Sequence, residues 1–150
     1  MISSLSGGAH RLFSIVLPSF ALSLGACSIP RDPSGTMDRV EQSGTLRLGV
    51  IEGAEMNEAS RRTLARVLDR TGSRPEIQRG DSEVVLALLK KGEIDLVYGE
   101  IAMDSPWSRE VAFSAPQGLL AKAPKSEPVP RFAVMNGENG WLMLVSEASK

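Results

Sequence analysis

Two hydrophobic rhythms alternate along this chain. Thr45-Leu46-Arg47-Leu48-Gly49-Val50-Ile51 begins with apolar and polar positions alternating and ends wholly apolar, as a strand entering a core does. The period changes after the loop Glu52-Gly53-Ala54-Glu55. Asn57 stands as an N-cap with Glu58 in the first turn, and Leu64, Val67 and Leu68 recur at helical spacing until Gly72 stops the segment. Arg61, Arg62, Arg66, Asp69 and Arg70 cover the rest of that helix, a surface that reads either as solvated or as anion-binding. Arg74 to Gln78 predicts a second strand, which Pro75 assigns to an edge or a strand start. Asp81 then caps a helix that is expected to turn Val84, Val85, Leu88 and Leu89 toward the sheet.

That helix ends at Lys90-Lys91, where two cations suit the negative end of the helix dipole, and Gly92 supplies a left-handed residue. Ile94 to Ile101 is mostly apolar and predicts a strand covered on both faces. Met103 to Arg109 reads as a turn, and Val111 to Ser114 as a short further strand. Strand, helix, strand, helix, strand implies two right-handed parallel crossovers and an α/β layered domain. Pro116, Pro124, Pro128 and Pro130 make the next stretch an irregular connector. Arg131 to Met135 is then a short strand, Asn136-Gly137-Glu138-Asn139 a turn and cap, and a last helix presents Trp141, Leu144 and Val145 on one face.

Composition narrows the chemistry. The 150 residues carry 17 Lys plus Arg against 18 Asp plus Glu, with no basic run longer than two, so nucleic acid is a poor partner. Aromatic residues make up only 5%, which argues against a stacking platform for sugars or bases. At the amino terminus Arg11 precedes an apolar run, Leu12 to Leu24, of signal-peptide length and too short for a permanent span. Leu22-Ser23-Leu24-Gly25-Ala26-Cys27-Ser28 resembles a bacterial lipobox, whose cysteine becomes the lipidated first residue of the mature protein. Cys27 is the one cysteine and has no internal disulfide partner. Residues 1–26 are thus expected to be a lipoprotein signal peptide, 27–43 a tether holding at most one helical turn over Met37 to Glu41, and 44–150 the domain. The lone His10 lies in the signal segment, so the mature chain carries no histidine for Ser-His or Cys-His catalysis or for a metal. No cofactor is expected, and Ser28 resembles the sorting signal of outer-membrane lipoproteins.

Three blocks together resemble the family 3 extracellular solute-binding proteins, the periplasmic receptors of ABC importers: Gly44-Thr45-Leu46-Arg47-Leu48-Gly49-Val50, Ala87 to Val97, and Ser108 to Pro116. The Lys-Gly-Glu-Ile-Asp run at 91–95 and the strand behind it are the more specific part. The resemblance implies a periplasmic-binding-protein-like lobe, a mostly parallel sheet flanked by helices. It also implies that the Gly-acidic-x-x-Trp helix at 137–141 packs beside a strand returning to the first lobe. Family members clamp a solute between two such lobes. Here only 37 residues follow Phe113, so residues 115–130 are expected to replace the second lobe, and a single lobe cannot close over a solute. The arginine that holds the solute carboxylate in amino-acid-binding members falls on Trp107, with Arg109 two residues later.

Ligands of open α/β sheets bind beyond the carboxyl ends of the strands. That edge gathers Glu52 and Glu55 after the first strand, Gln78 or Arg79 after the second, and Glu100 and Asp104 after the third. They read either as an acidic cleft for a cationic solute or hard metal, or as solvated loop carboxylates. Trp107 at a Pro-Trp turn suits an interface, and Tyr98 reads as a core residue whose hydroxyl reaches an edge. The sequence therefore predicts a non-enzymatic, lipid-anchored protein facing the periplasm. Its partner is expected to be a small-molecule solute or, alternatively, an envelope or membrane protein docked on a scaffold that has lost its ligand site.

Overall fold

A computed structural model describes residues 32–118 and 123–150. Cys27, the expected signal segment and the middle of the connector lie outside the described residues. The elements run α1 (Thr36–Ser43), β1 (Thr45–Ile51), α2 (Glu58–Thr71), β2 (Arg74–Gly80), α3 (Ser82–Lys90), β3 (Leu96–Ile101), a 3-10 turn (Pro106–Arg109), β4 (Val111–Phe113), β5 (Val129–Met135) and α4 (Asn139–Ala148). They build one five-stranded sheet in the order β2-β1-β3-β5-β4. The two crossovers make β2, β1 and β3 parallel. β5 inserts antiparallel between β3 and β4, pairing Gly99 with Arg131 and Phe113 with Ala133. The sheet is accordingly mixed, parallel on one side and antiparallel on the other.

Alternation along the strands divides the core in two. Leu46, Leu48, Val50, Leu96, Tyr98, Phe132 and Val134 face α1, α2 and α4, which contribute Val40, Val67, Trp141 and Val145. Val97, Ile101, Val111 and Ala133 face α3 through Val85, Leu86 and Leu89. Gly99 is required where β3 crosses Ile51, since a Cβ there would lie 2.4 Å from Ile51 Cδ1. Gly92 (φ 72°) lets the chain turn from α3 into β3, as its position after the two lysines predicts.

Three expectations are corrected. Residues 36–43 form a full helix within the domain, with Val40 wholly buried, so the packed part of the chain begins before Gly44. Val84 is 50% exposed, and the α3 stripe on the sheet is Val85, Leu86 and Leu89. Both stripes have helical spacing, and the choice follows from how α3 crosses β1 and β3 rather than from period. Asp81 occupies the N-cap position, but its side chain makes no capping bond, in contrast to Asn57, whose Oδ1 accepts from Ser60 N at 2.7 Å.

Candidate functional site

The parallel strands end together at Ile51, Gly80 and Ile101, and their loops form the edge where the sequence places a ligand. Glu52 N donates to Gly80 O at 2.9 Å, stitching the ends of β1 and β2, and Gly53 (φ 81°) turns the chain so that Ala54 N reaches Ile51 O at 3.0 Å. Tyr98 is fully buried, and its hydroxyl donates to Glu55 O at 3.1 Å. The core of the sheet thereby holds the β1–α2 loop in one conformation while leaving the Glu52 and Glu55 carboxylates in water.

Glu52, Glu55, Glu100, Asp104, Trp107 and Arg109 do not form one cluster. Glu100 is exposed on the Tyr98 face of β3, opposite Pro130. Asp104 is exposed, and its backbone N–H donates to Lys125 O at 3.2 Å, where the connector crosses the edge. Trp107 turns toward α3: it is half-buried against the second core, and its Nε1–H donates to Glu83 Oε1 at 3.0 Å. Arg109 is exposed on the same 3-10 turn. Lys90 and Glu110, 2.7 Å apart, close the side of a groove of about 300 Å³ beside the Trp107 ring. Among the described residues no group of three or more Asp, Glu, His or Cys side chains could hold a metal ion, so the carboxylates of this edge are dispersed rather than convergent.

Of the residues the sequence places at this edge, Glu55 and Arg79 line the cavity of about 560 Å³ that opens between α2 and β2, beside the carboxyl ends of β1 and β2. Val50, Met56, Leu64 and Ile77 give it an apolar lining, joined by the exposed Arg61 and Arg79. The register explains the gathering. Leu48 pairs with Ile77 and Val50 with Arg79, so both β2 side chains share the face that α2 covers incompletely at the sheet margin. Arg79 was legible as a strand-end residue, but Arg61 and Ile77 needed this register.

Two other arginines of α2 do more than face solvent. Arg66 donates to Ala148 O at 3.0 Å and Arg70 to Glu147 at 3.2 Å, joining α2 to the carboxyl end of α4, where cations are favoured. Arg131 is a further residue that sequence reasoning passed over. It is 4% exposed and donates to Ser114 O at 3.0 Å, its Nε has no partner among the described residues, and burial draws its pKa below the ordinary arginine value. The bond fixes the end of β4, where Ser114 Oγ also accepts from Phe132 N.

The architecture is a single α/β lobe, a five-stranded mixed sheet with helices on both faces. Among solved structures, the chain is similar to the arginine-bound form of domain 1 from TmArgBP, at 17% identity and a TM-score of 0.60, over 75% of this chain and 96% of that one. It is also similar to the arginine-bound form of truncated ArgBP from T. maritima, at 11% identity and a TM-score of 0.56, over 74% and 97%. No protein-family model and no curated protein matches the chain.

Proposed function

We propose that this protein is a reduced, lipid-anchored solute-binding component of transport or sensing in the bacterial envelope, facing the periplasm and working by binding rather than catalysis. The observation that carries the reading is the fold. Nearly the whole of one isolated lobe, the arginine-bound form of domain 1 from TmArgBP, corresponds to this chain. A lobe of this architecture can therefore hold a solute without a second lobe closing over it. The chain passes from β4 to β5 through residues 114–128, and in this reading that span stands where the second lobe would be inserted. Signal-peptide cleavage and acylation at Cys27 would hold the domain at a membrane, with the outer membrane as its address.

Binding only to the folded state raises the melting temperature in proportion to the logarithm of ligand excess. A thermal-shift screen of the full chain against amino acids, polyamines, small carboxylates and divalent ions is expected to produce a concentration-dependent rise with at least one solute class. A flat response across all four would remove the solute-binding reading. Mass spectrometry of protein extracted from a bacterial envelope fraction tests the anchor, which requires a diacylglyceryl-modified Cys27 as the first residue.

A further inference from the structure

The cavity between α2 and β2 differs in chemistry from the acidic edge that the sequence suggests. Its lining is largely apolar, with two guanidinium groups and one carboxylate, Glu55, leaving an excess of one positive charge. Arg61, on the first turn of α2, is held in place by donating to Met56 O in the preceding loop. Arg79 enters none of the ion pairs among the described residues, whereas Arg39, Arg47, Arg62 and Arg70 each do. Beside it Ile77 is 55% exposed, a β-branched apolar side chain left half in water on a strand whose other positions are mostly polar. Exposed apolar surface bordered by polar groups is the usual make-up of a small-molecule site, and about 560 Å³ lies within the range of such sites.

We propose that this cavity is the solute site, and that its ligand is a small carboxylate on a branched apolar body. The carboxylate would bridge Arg61 and Arg79, since guanidinium groups pair with carboxylates through two parallel hydrogen bonds. The apolar body would cover Ile77, Leu64 and Met56. Glu55 admits an amino group next to the carboxylate, so both an amino acid and its 2-oxo counterpart fit the same chemistry. A cationic solute such as arginine is disfavoured by the excess positive charge. The inference rests on the solute-binding reading but assigns it a place away from Glu100, Asp104 and Trp107.

Isothermal titration of the full chain with leucine, 4-methyl-2-oxopentanoate, arginine and spermidine tests both levels. The expected result is binding of one or both apolar carboxylates at least tenfold tighter than arginine. Arg79→Gln and Ile77→Asp, both at exposed positions and checked by far-UV circular dichroism, should each weaken that binding at least tenfold. Arg70→Gln, the same charge change on α2 away from the cavity, should leave it as in the wild type. Undiminished binding by Arg79→Gln and Ile77→Asp would overturn the assignment. Binding of arginine or spermidine alone would overturn it while leaving the solute-binding reading standing, and binding of none of the four would count against both.

Discussion

At the scale of single residues, Asp95 is the most consequential side chain that sequence reasoning treated only as part of a motif. It is 2% exposed, and its carboxylate accepts from Arg47 N at 2.8 Å, from Arg47 Nε at 3.0 Å and from Arg39 Nη2 at 2.5 Å. Its own carbonyl accepts from Trp141 Nε1 at 2.8 Å. Lys-Gly-Glu-Ile-Asp thus ends on a residue that locks β3 to α1, β1 and α4, so the most specific stretch of the sequence reports architecture rather than ligand binding. Burial opposes the charge, but the hydrogen bonds from Arg47 and Arg39 outweigh it and hold the carboxyl below the ordinary carboxylate range. The sign follows from linkage. A depressed folded-state pKa contributes stability that is present above the unfolded value of about 3.9 and is lost as pH falls through the folded value. Asp95→Asn should cost about 3 kcal/mol at pH 7, the low end for a broken buried pair, because Arg39 and Arg47 keep 37% and 34% of their side-chain surface in water. Urea unfolding between pH 7 and 3 should show wild-type stability declining at the acid end and a flatter dependence in the variant. Equal slopes would place the acid sensitivity elsewhere.

Between elements, the informative feature is an exchange of caps between the two ends of the domain. Glu138 is 1% exposed, and its carboxylate accepts from Ser34 N at 2.7 Å and Thr36 N at 2.9 Å, serving the start of α1. In return Asp32 accepts from Trp141 N at 3.0 Å in the first turn of α4. Helix starts leave backbone N–H groups unpaired, and here each is satisfied by a carboxylate from beyond the other helix's start. Glu138→Ala should destabilise by about 1–3 kcal/mol, since it strands two N–H groups of which one is buried, and Asp32→Ala by about 1 kcal/mol. Native-state hydrogen exchange should accelerate at Arg39 and Val40 in the Glu138 variant more than at amides of β1; uniform acceleration would mean that α1 does not open on its own. This exchange also explains what could be read in advance. The longer elements announce themselves through local period and punctuation at Asn57, Gly72 and Gly92. α1 is eight residues long, and part of its capping comes from an acid about a hundred residues away, so a local reading sees at most one turn. The site was partly legible for a related reason. Strand order alone places Glu52, Glu55 and Arg79 near one edge, whereas the turn of Trp107 toward Glu83 and the meeting of Arg61 with Ile77 depend on contacts between elements.

Over the whole molecule, the sheet divides into a parallel half completed by residue 101 and an antiparallel half completed only when β5 arrives. β3 and β4 do not pair with each other, so β5 is the sole bridge between them among the described strands. The segment after the connector also supplies Phe132 and Trp141, the latter fully buried and bonded to Asp95. Losing a buried Trp side chain typically costs about 3–5 kcal/mol, against a total stability of about 5–15 kcal/mol for a domain. The parallel half should therefore not survive alone, although its two crossovers are continuous in sequence. Urea unfolding followed by tryptophan fluorescence and by far-UV circular dichroism should give coincident transitions, as a two-state domain does. A chain ending after Met135 keeps every strand but loses α4, the Asp95–Trp141 bond and the cap on α1, and should show no cooperative transition. A truncated chain that still unfolds sharply would show that the five-stranded sheet is self-sufficient and that α4, with its bond to Asp95 and its cap on α1, is an accessory to it.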